Sequence, residues 1–333
     1  MPPPARRALI TGITGQDGPY LAEQLLDEGW EVHGMVRAEE PVIAEVPAAV
    51  AIHQGSLTDQ SSLESLLRAS RPHHVYNLAA ATSVAGSFED PLATCDVTGV
   101  GVLRLLQAVR RVDPAIRLLQ ASSAEIFAGA AASPQNESTP LSPVSPYGVA
   151  KAFAHQMVQV YRRSFRLFAA TAILYNHESP RRGLNFVSRK VTDGAARIAL
   201  GLARELRLGT LEVERDWGYA PDYVRAMRLV LRQDAPDDYV VATGQTHTLL
   251  ELLDIAFTAV SLDWREHVVS DPGLLRPAEP IRLCGDASRA RDRLGWAPTV
   301  DFSDMIREML ASDLARLNPA AASAPPARAE APR

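Results

Sequence analysis

The chain has 333 residues, 47% hydrophobic and 22% charged, with a formal net charge of −5 and an isoelectric point near 5.9. That composition describes a globular protein long enough for one extended α/β core, and its acid excess argues against nucleic acid or an anionic membrane surface as a partner. Two cysteines, Cys95 and Cys284, stand outside any C-x-x-C pattern and are too few for a disulfide framework, which points to a reducing compartment.

Met1–Arg7 is proline-rich and contains no signal-peptide core, and no apolar run approaches the ~18 residues that span a bilayer. A cytoplasmic location without a membrane is therefore expected. Strand and helix signals then alternate: strand Arg7–Thr11, helix Pro19–Glu28, strand Glu31–Val36, helix Gln60–Ala69, strand His74–Ala79, helix Thr94–Val112, strand Ile116–Ala121, helix Pro146–Ser164 and strand Phe168–Tyr175. Such alternation predicts an α/β fold, a doubly wound parallel Rossmann sheet. After Tyr175 the rhythm breaks into Pro-, Gly- and charge-rich sequence. We expect a dinucleotide-binding domain over 1–175, with 216–247 returning to it through Tyr239–Thr243. A smaller C-terminal substrate-binding lobe is expected from 176–215 and 248–315, and the Ala/Pro-rich 318–333 reads as a disordered tail.

Gly12, Gly15 and Gly18 are spaced G-x-x-G-x-x-G directly after the first strand and open the first helix. Glycines there allow close backbone approach, and free N–H groups at a helix start suit a pyrophosphate; Thr14, Gln16 and Asp17 belong to the same turn. A plain Gly-rich turn is the alternative for the spacing alone. Arg37, ending the second strand, can pair with a ribose 2′-phosphate and favours NADP, although Glu39 and Glu40 could neutralise it instead, which keeps NAD open. Asp59 reads equally as an adenine acceptor or as the N-cap of the next helix. Leu78 and Ala79, at the end of the strand from His74, are further cofactor candidates, as are Tyr147 and Lys151, the latter able to hold the nicotinamide ribose hydroxyls.

Tyr147 and Lys151 lie four residues apart, about one helical turn, on a common face. A phenol of pKa ~10 is a poor base at neutral pH, and a neighbouring ammonium favours the phenolate. The pair alone arises often by chance. It gains weight from Ser122-Ser123-Ala124-Glu125 at the carboxyl end of another parallel strand, where ligands bind in such sheets. Ser123 can bridge Tyr147 and a substrate hydroxyl, and Glu125 offers a carboxylate, whose bland alternative is a solvated loop acid. No metal site is expected.

The order of these motifs resembles the extended short-chain dehydrogenase/reductase superfamily. Within it, Ile10–Gly18 continuing to His33-Gly34, Tyr175–Gly183, Arg215–Tyr223 and Arg276-Pro277-Ala278-Glu279 resemble the GDP-mannose 4,6-dehydratases, over about 9–312. The resemblance implies Ser123, Glu125, Tyr147 and Lys151 as the catalytic group, with Asn176, Lys190, Arg215, Arg276 and Glu279 around a GDP moiety; Arg181 and Arg182 are weaker candidates. It implies GDP-mannose or a related nucleotide sugar as substrate and an internal redox cycle. In that cycle Tyr147 takes the C4 hydroxyl proton, Glu125 takes the C5 proton, and water leaves C6. The sequence departs from the family pattern at Ser123, where Thr is usual, at Phe127, where Tyr is usual, and at Arg37-Ala38, where two arginines are usual. The stretch 37–54 is also shorter than the relatives' loop, which reaches a neighbouring subunit. A homo-oligomer is expected, with a dimer through the helices near Thr94–Val112 and Pro146–Ser164, and the tetramer is left open. Competing readings are a GDP-4-keto-6-deoxymannose reductase, a dehydratase of another nucleotide sugar and a non-catalytic NADP sensor.

Overall fold

The structure, a computed structural model, describes residues 6–271, 273 and 282–318. The chain divides into two compact units, the first holding 6–177, 214–247 and 282–301, the second 178–213, 248–271, 273 and 302–318.

The first unit is built on seven strands: β1 (Arg7–Thr11), β2 (Glu31–Val36), β3 (Ala51–Gln54), β4 (His74–Asn77), β5 (Arg117–Ser123), β6 (Ala169–Leu174) and β7 (Asp238–Val241). They pair in parallel in the order β7-β6-β5-β4-β1-β2-β3, so the expected doubly wound sheet is present. The strand sequences are apolar on both faces because helices cover both. Ala8 and Ile10 pack on one side with Leu21, Leu25 and Met227, whereas Leu9 points to the other with Leu66, Leu105 and Val158. Sheet order reverses direction between β1 and β4, the switch point at which such sheets bind ligands beyond the strands' carboxyl ends.

The longer helices of this unit are α1 (Asp17–Asp27), α2 (Gln60–Ser70), α3 (Pro91–Val112), α4 (Pro146–Phe165) and α5 (Ala220–Val230). α3 contains a π-helical turn at Asp96–Val100. It also corrects an expectation: at 22 residues it is long and apolar enough to cross a membrane. Half of it is buried, and it packs against α2 and α4, which accounts for its composition within a layered core.

Residues 282–301, expected from the sequence in the smaller lobe, group instead with the sheet. Gln135 N–H donates to the Cys284 carbonyl at 2.8 Å, and Trp296 Nε1 donates to the Asp222 carbonyl at 2.8 Å. Asp222 also accepts from Thr299 N–H and Oγ1 at 2.6 and 2.8 Å. These bonds join segments remote in the chain, so periodicity could not reveal them. The tail from 319 lies outside the described residues.

In the second unit, helices Val187–Ala199, Leu249–Thr258 and Phe302–Leu317 pack together beside a parallel pair, Leu206–Leu208 with Val268–Ser270. A capping box starts the middle helix: Thr248 Oγ1 accepts from Glu251 N–H at 3.1 Å, and Glu251 accepts from Thr248 N–H at 2.8 Å. Arg189 and Asp313 clamp the first and third helices together. Arg189 Nε donates to both Asp313 oxygens at 2.9 Å, and Nη2 donates to Oδ1 at 2.7 Å. Asp313 is fully buried and takes a further bond from Thr192 at 2.8 Å. Breaking a buried pair leaves one charge uncompensated. Asp313→Ala should therefore lower unfolding stability by about 3–5 kcal/mol; a loss under about 1 kcal/mol in urea titrations would mean that the pair does not hold these helices.

Candidate active site

β1 ends in a turn that only glycine can make at two positions. Gly12 has φ +69°, and a Cβ there would lie 2.8 Å from the Ala79 backbone nitrogen; a Cβ on Gly18 would lie 2.4 Å from the Ile13 carbonyl oxygen. The first approach seats the turn against Leu78 and Ala79; the second presses the start of α1 onto the turn. Among the described residues no side chain caps the first turn of α1, so its N–H groups face the position where a dinucleotide pyrophosphate sits in this fold. Those are features that fit a dinucleotide. Gln16 and Asp17 reach instead towards β6 and beyond. Gln16 Nε2 donates to the His177 carbonyl at 3.0 Å, and the Asp17 carboxylate meets His177 Nε2 at 2.9 Å. His177 in turn stacks on Tyr223, with ring centroids 4.6 Å apart. It belongs to the Tyr175–Gly183 motif, whose sequence alone gives it no role.

Arg37 is 77% exposed and pairs with Glu40, Nε to Oε2 at 3.0 Å. Glu40 also accepts from the Thr14 hydroxyl. Partial burial pushes the Glu40 carboxyl up, but the bonds from Thr14 and Arg37 outweigh it, and its pKa falls below the ordinary value. The neutralisation of Arg37 by a following glutamate is thus what the structure contains. Asp59 is the N-cap of α2, its Oδ1 accepting from Ser61 N–H at 2.8 Å, Ser61 Oγ at 2.7 Å and Ser62 N–H at 3.2 Å.

A row of buried polar groups, which no sequence pattern announced, runs across the carboxyl edge of the sheet. Thr11 Oγ1 accepts from Ala79 N–H at 3.2 Å and donates to Asn77 Oδ1 at 2.5 Å. Asn77 Nδ2 donates to Gln120 Oε1 at 2.6 Å, and Gln120 Nε2 donates to the Ala121 carbonyl at 2.7 Å. That carbonyl also accepts from Lys151 Nζ at 2.7 Å. β1, β4, β5 and α4 are thereby joined at one level.

α4 starts where Ser145 caps it, accepting from Gly148 N–H at 3.0 Å, with Pro146 as its first residue. Tyr147 and Lys151 are 7% and 3% exposed, with Nζ 5.7 Å from the phenol ring centroid. Burial, against a smaller opposing effect of Asp17, lowers the Lys151 pKa to about 8. Ser123 ends β5 and caps the short turn Ala124–Phe127, accepting from Glu125 N–H at 3.3 Å. Both Ser123 and Glu125 are half-buried. The Glu125 carbonyl approaches Gly148 so closely that a Cβ there would lie 2.8 Å away; this contact sets the Tyr147 turn of α4 against the Ser123–Glu125 segment. All four expected catalytic residues thus converge on the carboxyl ends of β5 and its neighbours.

Of the residues expected around a nucleotide, Asn176 is half-buried just beyond β6, and Arg215 is 8% exposed with Nη1 donating to the Glu214 carbonyl at 2.8 Å. Next to it, fully buried Asp216 accepts from Thr243 N–H and Oγ1, Gly244 N–H and Gly285 N–H, a fixed anchor within the Arg215–Tyr223 motif. Lys190 is exposed on its helix in the second unit, where Arg182 pairs with Glu178 at 3.0 Å. Arg276 and Glu279 lie outside the described residues.

Sheet order, glycine turn and Tyr–Lys helix define a Rossmann-fold protein of the short-chain dehydrogenase/reductase type. The profile of the GDP-mannose 4,6 dehydratase family matches residues 9–309, and the chain belongs to that family. It is 47% identical over 327 residues to GDP-mannose 4,6 dehydratase 1 of Arabidopsis thaliana, covering 93% of this chain and 90% of that one. Among solved structures, UDP-glucose 4-epimerase of Thermus thermophilus in complex with NAD superposes with a TM-score of 0.82 at 29% identity, covering 92% of this chain and 98% of the other. RMD of Pseudomonas aeruginosa complexed with NADPH does so with a TM-score of 0.79 at 26% identity, covering 94% and 98%.

The depressed Lys151 pKa carries a stability consequence. Below pH 8 both folded and unfolded chains hold this proton, and the folded state bears the full cost of a buried ammonium. Between pH 8 and the ordinary ~10.5 the folded state releases the proton first, so stability gains as pH rises. Stability of the wild type relative to Lys151→Met should therefore improve from pH 8 to 10 in denaturant titrations; a difference that stays flat would place the Lys151 pKa outside that window.

Proposed function

We propose that this protein is a GDP-mannose 4,6-dehydratase, converting GDP-mannose to GDP-4-keto-6-deoxymannose and water. The observation that carries this reading is the seating of the Tyr147–Lys151 helix against Ser123 and Glu125 in a chain of this family. Tyr147, as phenolate beside the Lys151 ammonium, takes the proton of the sugar C4 hydroxyl. The 4-ketone acidifies the C5 proton, which Glu125 removes and then delivers to the departing C6 hydroxyl, with Ser123 orienting the sugar oxygen. The proton that Glu125 takes from C5 leaves with the C6 hydroxyl as water, and the proton that Tyr147 took from the C4 hydroxyl returns to C5, so both groups end each turnover as they began it. The bound dinucleotide supplies reversible hydride storage, so no net reductant is consumed.

NADP is the proposed cofactor, with NAD a second fit. The glycine turn and the uncapped start of α1 beside Leu78 and Ala79 support binding of either, and Asp59 is proposed to accept from the adenine amine in addition to capping α2. Arg37 is the group that would favour the 2′-phosphate, and Glu40 is the group that competes for it. Asn176, Lys190 and Arg215, together with Arg276 and Glu279, are proposed for the GDP moiety; a guanidinium is well matched to phosphate oxygens. A cytoplasmic homodimer is the assembly that accords with this reading.

Purified protein incubated with GDP-mannose and no added reductant should yield a product lighter by one water; an unchanged substrate mass would remove the dehydratase reading. Glu125→Gln should lower kcat about 10²–10⁴-fold, with the 4-keto intermediate trapped before elimination, and wild-type turnover would take Glu125 out of the mechanism. Arg37→Ala should weaken NADP binding by about tenfold, as expected for one lost charge-assisted contact, and leave NAD binding unchanged. Equal effects on both dinucleotides would dissociate Arg37 from 2′-phosphate selection.

A further inference from the structure

The amino-terminal edge of the sheet, opposite the site just described, carries a cleft of about 910 Å³. β1, β4 and β5 all begin on it, contributing Arg6 and Arg7, His74 and Arg117, and Arg71 joins them from the turn after α2. Arg7 and Thr11 bound β1, so the cleft stands roughly 13 Å from the glycine turn at ~3.3 Å per strand residue.

The charge balance of this cleft is one-sided. Arg68 is paired with Glu64, and Arg232 with Glu28. Arg6, Arg7 and Arg117 have only neutral partners. Arg7 Nε donates to the Arg71 carbonyl at 2.8 Å, Arg117 Nη1 donates to the carbonyls of Leu231 and Gln233 at 2.9 Å each, and Arg6 lies over the Trp30 ring, 5.7 Å from its centroid. Among the described residues no carboxylate pairs with Arg6, Arg7, Arg71 or Arg117, and the one acid on the lining, Asp113, accepts from Ala115 N–H at 2.9 Å to close its own turn. Four uncompensated guanidiniums in one concavity focus a positive potential, in a protein whose net charge is −5. Buried His74 registers that field. Its pKa is pushed down to about 3, first by burial and then by Arg117, Arg6, His73 and Arg232. The volume suits a small ligand, and planar guanidiniums in a shared cleft suit phosphate oxygens.

We propose that this cleft is a second ligand site, for a phosphate-rich anion such as a nucleoside triphosphate or inorganic polyphosphate. It is independent of the dinucleotide turn and of the proposed reaction. Binding is measured by calorimetry on the intact protein saturated with NADP and GDP, with inorganic tripolyphosphate in one arm and ATP in the other. Tripolyphosphate is expected to bind, more weakly at higher salt, and Arg6→Gln with Arg71→Asn to weaken it at least tenfold. Asparagine is chosen because Arg71 has φ +42°, a conformation it tolerates. Tighter binding of ATP than of tripolyphosphate would assign the site to a nucleotide, and equal or weaker binding to free polyphosphate. Absence of binding in both arms, displacement by raising NADP or GDP, or an affinity unchanged in the double variant would each overturn the proposal.

Discussion

The buried bond from Lys151 to the Ala121 carbonyl is where the helix that brings the phenol meets the strand that brings the hydroxyl and the carboxylate. The ammonium is taken out of water at a cost that its lowered pKa records. It is tolerated because the carbonyl is itself held by Gln120, Asn77 and Thr11 in sequence. Each member of that row has its partner within the sheet, so the row acts as a ruler across four elements. Loosen one member and the Tyr147 turn of α4 loses its fixed height above β5.

Other buried charges serve similarly as joints. Asp216 gathers four donors from segments far apart in sequence, and Arg189 with Asp313 locks two helices of the second unit. Burial raises the Asp216 carboxyl pKa while its bonds from Thr243, Gly285 and Gly244 pull it down, and the net shift is upward. Such groups contribute directional specificity that apolar packing lacks.

Much of this architecture was legible in the chain. The apolar runs of β1, β2, β5 and β6 and the glycine spacing carry the sheet and its cofactor turn, since their determinants are local. The four catalytic candidates were legible for the same reason: a helical turn separates Tyr147 from Lys151, and a strand end carries Ser123 with Glu125. What escaped was non-local. The Thr11–Asn77–Gln120 row and the His177–Asp17 contact join residues 43 to 160 positions apart. The apolar α3 shows the converse failure. Its hydrophobicity reports burial between layers, which composition alone cannot distinguish from burial in lipid.

Asp59 meets the demand of starting α2. A single oxygen, Oδ1, accepts all three bonds that start α2. The bonds from Ser61 and Ser62 hold its carboxyl below the ordinary pKa, so the helix start also favours the charge. Asparagine or serine would start the helix about as well, so a strict requirement for the acid among relatives would speak for recognition of a ligand, whereas free exchange among the three would speak for architecture alone.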